Sequence, residues 1–311
     1  MKDGKPSITA IGTAIDRAVH QVLDDDPKIL RDPIALQIVE GLVRETFAMC
    51  WPQRYATALP SVRASSRQDI LEATEELRKP MWVLTRSQVT ARSRFTEDCL
   101  TEAAAGGIRQ YVVLGAGLDT FAYRQPPWAK DLRIFEVDHP ATQQWKRNHL
   151  ARVGIPLPAN LEFCPIDFEQ TALAEGLAVT SFDRHVPTFI SWLGVTMYLT
   201  RDAIESTFRF VLSLPRRSEI VFDFSPPRAS MSAADAKAWA EVAAFLGPLL
   251  AVHGEPMITS FEAEELQGWL RQLGFAKLLL LSSELATERY FAGRRDGLRL
   301  LQTPRLLRAT V

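Results

Sequence analysis

Apolar residues fall into two regimes along this chain. Up to about Gly107 they recur at three- and four-residue spacing, over Ala14–Val22, Pro33–Val43, Gln68–Leu84 and Thr96–Ala105, which predicts amphipathic helices. Pro52, Pro60 and the Ser65–Ser66 pair mark connections between them. Beyond Gly107 short apolar runs take over. Tyr111–Leu114, Leu132–Val137, Leu161–Cys164 continuing into Pro165–Phe168, Thr188–Leu193, Glu219–Phe224 and Lys277–Leu281 read as strands. Pro140–Val153, Arg201–Leu214 and Phe261–Leu273 carry helical spacing between them. Strands alternating with helices predict an α/β fold with a mostly parallel, doubly wound sheet. The pattern divides the chain into an N-terminal helical cover, 1–106, and an α/β core, 107–311.

One segment interrupts the alternation. Pro226–Pro256 opens on a Pro-Pro pair and holds an Ala- and Trp-rich helical stretch, Ala233–Leu246. It follows the fifth strand, at the carboxyl edge of the sheet where such folds bind ligands, and reads as a lid insert. Arg294, Arg295, Arg299, Arg305 and Arg308 near the C-terminus read as a solvated face or an edge strand.

Composition narrows the function classes. Hydrophobic residues make up 47% of the 311 residues, enough for a sizeable core. With 36 basic and 37 acidic residues the net charge is -1, which argues against a nucleic-acid partner. Cys50, Cys99 and Cys164 are scattered without CxxC spacing, so they suit a reducing compartment and predict neither disulfides nor a metal site. The N-terminus lacks the apolar run of a signal peptide, and no apolar run approaches the roughly 18 residues that span a bilayer. A cytoplasmic protein with no membrane association is expected. No feature sets an oligomeric state.

The first strand runs into Gly115-Ala116-Gly117, with a helix expected to begin near Asp119 or Thr120. Strand, glycine turn and helix start form the first βα unit of a Rossmann-type nucleotide site. Asp138 ends the second strand, where an acid takes the ribose hydroxyls of an adenosine; a plain capping role for the helix at Pro140 competes with this. Asp167 and Phe168 end the third strand, placed to bond an adenine amino group and to offer the ring a flat apolar face. A dinucleotide fingerprint needs a third glycine where this chain has Thr120, and Asp119 sets a negative charge where a pyrophosphate would lie. That charge is compatible with a cationic sulfonium, which points to S-adenosylmethionine.

At these residues the chain resembles the leucine carboxyl methyltransferase family, within it the bacterial branch of S-adenosylmethionine-dependent O-methyltransferases. The resemblance runs from about Ala10 to the C-terminus. It is carried by RDPIA at Arg31–Ala35, TARSRFTEDCL at Thr90–Leu100, QYVVLGAGLDTFAYR at Gln110–Arg124, FEVDHP at Phe135–Pro140, PIDF at Pro165–Phe168 and SWLGVTMYLT at Ser191–Thr200. It implies a class I methyltransferase fold: a seven-stranded sheet whose last strand, near Leu306–Thr310, is antiparallel, under an N-terminal helical cover. It implies that Arg92, with Arg94 as the fallback, holds the methionine carboxylate of the cofactor, and that Gly115 to Gly117 pass beside its methionine portion. Asp138 would hold the ribose, His139 would lie against the adenine, and Asp167 and Phe168 would recognise the base.

One position departs from the family pattern. The resemblance implies a glutamate, found in many relatives on the cofactor side of the pocket, where this chain has Leu193; either cofactor affinity is lower here or another residue compensates, with Asp119 the candidate. Methyl transfer asks the protein mainly to align nucleophile, methyl and sulfur and to exclude water, and a carboxylate acceptor needs no base. For a phenol or alcohol, His253 in the lid is the candidate base, and Tyr198 is placed to orient the acceptor oxygen. Ordinary packing explains both as well. Trp239, Phe245, Leu249, Leu250 and Met257 of the lid, with Trp51 and Trp82 of the cover, would give an apolar, aromatic pocket for a small-molecule acceptor such as a polyketide-like compound. The competing readings are a protein C-terminal carboxyl methyltransferase, a nicotinamide-dependent oxidoreductase and a non-catalytic protein that binds S-adenosyl ligands.

Overall fold

A computed structural model of the chain describes residues 7–40, 66–167, 171–252, 256–303 and 305–311; the side chains of Leu246, Leu249 and Val252 are not described. Trp51, Phe168 and His253 therefore lie outside the described residues. In the N-terminal cover, α1 (Ile8–Leu23) starts where the Ser7 hydroxyl accepts from Ala10 N and turns its apolar face inward. Short helices α2 (Ala35–Val39), α3 (Arg67–Glu72) and α4 (Thr74–Leu77) follow. Next comes α5, the long helix Pro80–Ala105.

The helix expected over Gln68–Leu84 is thus three pieces, and Thr96–Ala105 is only the last part of α5. Pro80 explains the last of these breaks. It has no amide proton to give inside a helix but fits the first turn, so a new helix begins there.

The core strands are β1 (Gln110–Leu114), β2 (Arg133–Asp138), β3 (Leu161–Pro165), β4 (Thr188–Trp192), β5 (Glu219–Asp223), β6 (Lys277–Leu280) and β7 (Leu306–Thr310). They form one sheet in the order β3-β2-β1-β4-β5-β7-β6. All pairings are parallel except those of β7, which runs antiparallel to both β5 and β6. Its flanking helices are α6 (Pro140–Arg152), α7 (Leu173–Ala178), α8 (Arg201–Leu212), α9 (Ala233–Val252), α10 (Ala263–Leu273) and α11 (Ser283–Ala286). α7 was not anticipated from the sequence; it is short and carries only Leu173, Gly176 and Leu177 inward.

Strand side chains alternate between two cores, as period-2 geometry requires. Tyr111, Val113, Ile134 and Phe189 face one side, against Phe95, Cys99 and Leu100 of α5. Val112, Leu114, Phe135 and Trp192 face the other, against Phe208 of α8 and Leu266 and Leu270 of α10. No helix among the described residues is long and apolar enough to cross a membrane. Of the C-terminal arginines read as a solvated face, Arg295 and Arg299 are exposed, but Arg305 is buried, Arg294 is paired with Asp296, and Arg308 is paired with Glu219 and Glu102.

Candidate active site

The sheet changes winding direction between β1 and β4, and in open α/β sheets the crevice beyond the carboxyl ends at that point receives ligands. Register decides which residues meet there. Leu114 pairs with both Val137 and Trp192, and Trp192 pairs with Phe222. The next residue of each strand, Gly115, Asp138, Leu193 and Asp223, therefore stands at one level on the rim. A cavity of about 1120 Å³ opens beyond them. That slightly exceeds the usual small-molecule range of about 300–1,000 Å³ and leaves space for two ligands side by side.

The glycine turn is used differently from the expectation. Gly115 and Gly117 have positive φ values of 65° and 44°. Gly115 N and Ala116 N both donate to Val137 O, and Gly117 N donates to Asp138 Oδ2 at 2.5 Å. The turn's amides are thus bonded within the protein and offer no ready cradle to a phosphate. The helix expected at Asp119 or Thr120 is a single 3-10 turn, Phe121–Tyr123, whose first amide bonds Asp119 Oδ1. Pro126 and Pro127 follow at once and prevent a longer helix, so this turn directs no helix dipole at the site.

Asp138 accepts from Gly117 N and from its own neighbour's amide, His139 N, at 2.7 Å. It does not cap α6; His139 does, with Nδ1 accepting from Ala141 N. Burial raises the Asp138 pKa above the usual range, and the two amides oppose that shift. A carboxylate has about four acceptor sites, so the two amides leave lone pairs for hydroxyl donors. Nε2 of His139 lies 3.9 Å from Asp167 Oδ2, so these two strand-end residues share one wall of the cavity.

Arg92, on α5, donates from Nη1 to Asp223 Oδ2 at 2.8 Å, and Gly194 N donates to the other oxygen at 2.6 Å. Gly194 has φ 73°, and a Cβ there would come 3.0 Å from Arg92 Nη2. Sequence reasoning missed Asp223 and Gly194; the signals were an aspartate ending the fifth strand and a glycine after Leu193. Leu193 itself packs partly on the α5-side core while facing the cavity. Next to Leu193 on the rim stands Asp223, bonded by Arg92 and Gly194 N, while Asp119, which also lines the cavity, accepts from Phe121 N. The fallback Arg94 does not line the cavity; it pairs with Asp98 and bonds Ile29 O.

The RDPIA motif acts from behind. Asp32 accepts from Arg17 Nε at 3.2 Å and from Thr120 Oγ1 at 2.6 Å, and Arg17 Nη2 also donates to Leu118 O. The cover is thereby bolted to the glycine turn, and Thr120 has a use that a glycine could not serve.

The cavity's far wall is apolar. Trp82 of α5 meets Phe245 of α9 edge-on at 5.3 Å between centroids, so cover and insert touch above the strand ends. Trp239, Leu250 and Met257 line the same space, as do Tyr198 and Leu193. Asp16 of α1 also faces it. Its carboxyl retains some surface toward the cavity, yet the surrounding protein excludes bulk water and pushes its pKa up to about 7, against the opposing pull of Arg86 and Arg92.

The donor set fits S-adenosylmethionine better than a diphosphate cofactor. Even with Asp16 only partly ionised at neutral pH, Asp119, Asp138, Asp167 and Asp223 outnumber Arg17, Arg92 and Arg305 around the cavity, giving it the negative balance that suits a sulfonium.

Comparison with known proteins agrees. The family profile described as leucine carboxyl methyltransferase matches residues 10–212. The YktD protein of Bacillus subtilis (strain 168), named as a candidate S-adenosyl-L-methionine-dependent methyltransferase, is 31% identical over 305 residues, covering 97% of each chain. A similarly named protein of Streptomyces coelicolor is 30% identical, over 63% of this chain and 61% of its own length. Among solved structures, a DUF574 family protein from Streptomyces avermitilis superposes with a TM-score of 0.51 at 15% identity, over 87% of this chain and 97% of that one, a likeness of fold. With the family profile spanning cover, glycine turn and strand ends together, the chain belongs to the leucine carboxyl methyltransferase family.

Proposed function

We propose that this S-adenosylmethionine-dependent methyltransferase methylates an oxygen, a carboxylate or a phenolic hydroxyl, of a small and largely apolar acceptor. The observation that carries the reading is the two-sided cavity: strand-end carboxylates and Arg92 on one side, and aromatic side chains of α5 and α9 on the other. When bound, S-adenosylmethionine supplies a methyl group already activated by its sulfonium. The protein's part is then placement and exclusion of water.

Asp138 accepts from the ribose hydroxyls with the lone pairs its two amides leave. Arg92, held by Asp223, keeps guanidinium N–H groups for the methionine carboxylate. His139 and Asp167 face the adenine, with Phe168 as the proposed stacking partner. Tyr198 orients the acceptor oxygen. A carboxylate acceptor needs no proton removed. For a phenol, Asp16, with its pKa raised to about 7, is a candidate base beside His253.

Calorimetry with S-adenosylhomocysteine tests the cofactor half of this reading. Transfer of labelled methyl from S-adenosylmethionine to small aromatic acids and phenols, beside a peptide ending in leucine, tests the acceptor. Label on the peptide alone would replace the small-molecule reading with protein carboxyl methylation.

A further inference from the structure

Arg305 immediately precedes β7, is only 7% exposed and lines the cavity. A buried guanidinium ordinarily sits against a carboxylate or a set of carbonyls, because an uncompensated buried charge is costly. This one does not. Its Nε has no hydrogen-bond partner. Its Nη2 reaches only the thioether of Met231, at 3.9 Å, which is a weak acceptor. Its Cζ stands 4.5 Å from the centroid of the Trp239 ring on α9.

The two carboxylates whose charge reaches it, Asp235 and Asp223, are engaged elsewhere. Asp235 Oδ2 accepts from Thr303 N and Oγ1, and Asp223 accepts from Arg92 and Gly194 N. No carboxylate among the described residues forms an ion pair with Arg305. Burial accordingly pushes its pKa down to about 10, and it stays charged at neutral pH. Around it the wall is apolar: Val242 and Leu301 are buried beside Trp239.

We propose that Arg305 is the anchor for a carboxylate of the methyl acceptor, so that the pocket beneath α9 takes an apolar carboxylic acid and discriminates against its neutral analogues. The inference rests on the acceptor-pocket reading above and narrows its substrate class. A planar guanidinium forks onto a carboxylate with two parallel bonds, and the apolar wall strengthens such a pair by excluding water. Trp239 of α9 stands over the guanidinium, so the anchor and the insert form one wall of the pocket.

The probes are 4-phenylbutyrate and 4-phenylbutyramide, which differ only in charge at the group Arg305 would hold. Their affinities are measured by calorimetry, with and without saturating S-adenosylhomocysteine, on the wild type, Arg305→Lys and Arg305→Gln. Expected is an acid preference of about tenfold or more in the wild type, the scale of a charge-assisted hydrogen bond in a dry site. Arg305→Lys keeps part of that preference and Arg305→Gln abolishes it, while amide affinity changes less than about twofold across the series. Equal affinities of acid and amide in the wild type, or no binding of either, would overturn the proposal. So would a preference that survives in Arg305→Gln. If Arg305→Gln fails to fold, the wild-type acid–amide comparison and Arg305→Lys still decide. Failure of S-adenosylhomocysteine to bind would instead overturn the cofactor reading, a separate result because the acid–amide comparison is also made without it.

Discussion

The Arg92 guanidinium on α5 and the Asp223 carboxylate at the end of β5 meet at 2.8 Å across 131 residues of sequence. The contact joins the helical cover to the sheet at the rim of the cavity. Beside Leu193 on that rim, Asp223 thus presents a carboxylate that is paired with Arg92.

Asp223→Asn is therefore expected to destabilise the protein by about 1–3 kcal/mol, because the amide can still accept from Gly194 N but leaves the Arg92 charge without its counterpart. Urea unfolding measures this. Arg92→Met is expected to weaken S-adenosylhomocysteine binding about tenfold or more, the scale of one lost charge-assisted hydrogen bond. Unchanged affinity would show that Arg92 serves only as the tie between cover and sheet.

At Gly194 the backbone conformation and the neighbouring guanidinium act together. Gly194→Ala forces a side chain into φ 73° and brings its Cβ to 3.0 Å from Arg92 Nη2. A stability loss of about 1–2 kcal/mol follows from the left-handed conformation alone. Displacement of Arg92 adds a loss of cofactor affinity. A variant with wild-type melting temperature and affinity would contradict this account.

Replacing Asp138 tests both of its tasks. Asp138→Ala is expected to weaken S-adenosylhomocysteine binding by about 1–3 kcal/mol, the cost of leaving ribose hydroxyls unpaired. Asp138→Asn can keep only one of the two amide bonds, from Gly117 N or from His139 N, and turns its NH2 toward the other amide, so it is expected to lower stability as well as affinity. Calorimetry and thermal melts on both variants make the test, and an affinity that does not move would put the ribose elsewhere.

The raised pKa of Asp16 has a definite sign in stability. The folded protein holds this proton up to about pH 7, whereas the unfolded chain releases it near 3.8. Between those values the native state binds more protons, so this group lowers stability as pH rises from about 4 to about 7 and adds no further slope above. Asp16→Asn removes the effect. Its stability relative to wild type is expected to climb across that window and then level off, read from urea midpoints between pH 4.5 and 8. A pH-independent difference would mean that Asp16 is solvated by water in the cavity.

The strands and their order of appearance were legible because each is a local run of apolar and β-forming residues, fully buried in β1, β4 and β5 and half-buried in the edge strands β3 and β6. Gly115, Asp138 and Asp167 were legible as neighbours at one cavity because strand ends in a parallel sheet share one rim. The α-helix expected after the glycine turn was not, since its fate depended on Pro126 and Pro127 and on Thr120 being drawn to Asp32 of the cover. Asp223, Gly194, Asp16 and Arg305 were missed for a common reason. Each looks ordinary beside its sequence neighbours and becomes unusual only through a partner, or the lack of one, brought from a distant segment.

The sequence by itself determined the α/β class, the family and three of the strand ends that line the cavity, because periodicity, turn chemistry and motif order are local properties. Only the tertiary structure decided where charge stands uncompensated. It gave Asp223 to Arg92, left Asp16 near neutrality and buried Arg305 without a carboxylate, since desolvation and ion pairing depend on which segments fold against one another rather than on which residues adjoin in the chain.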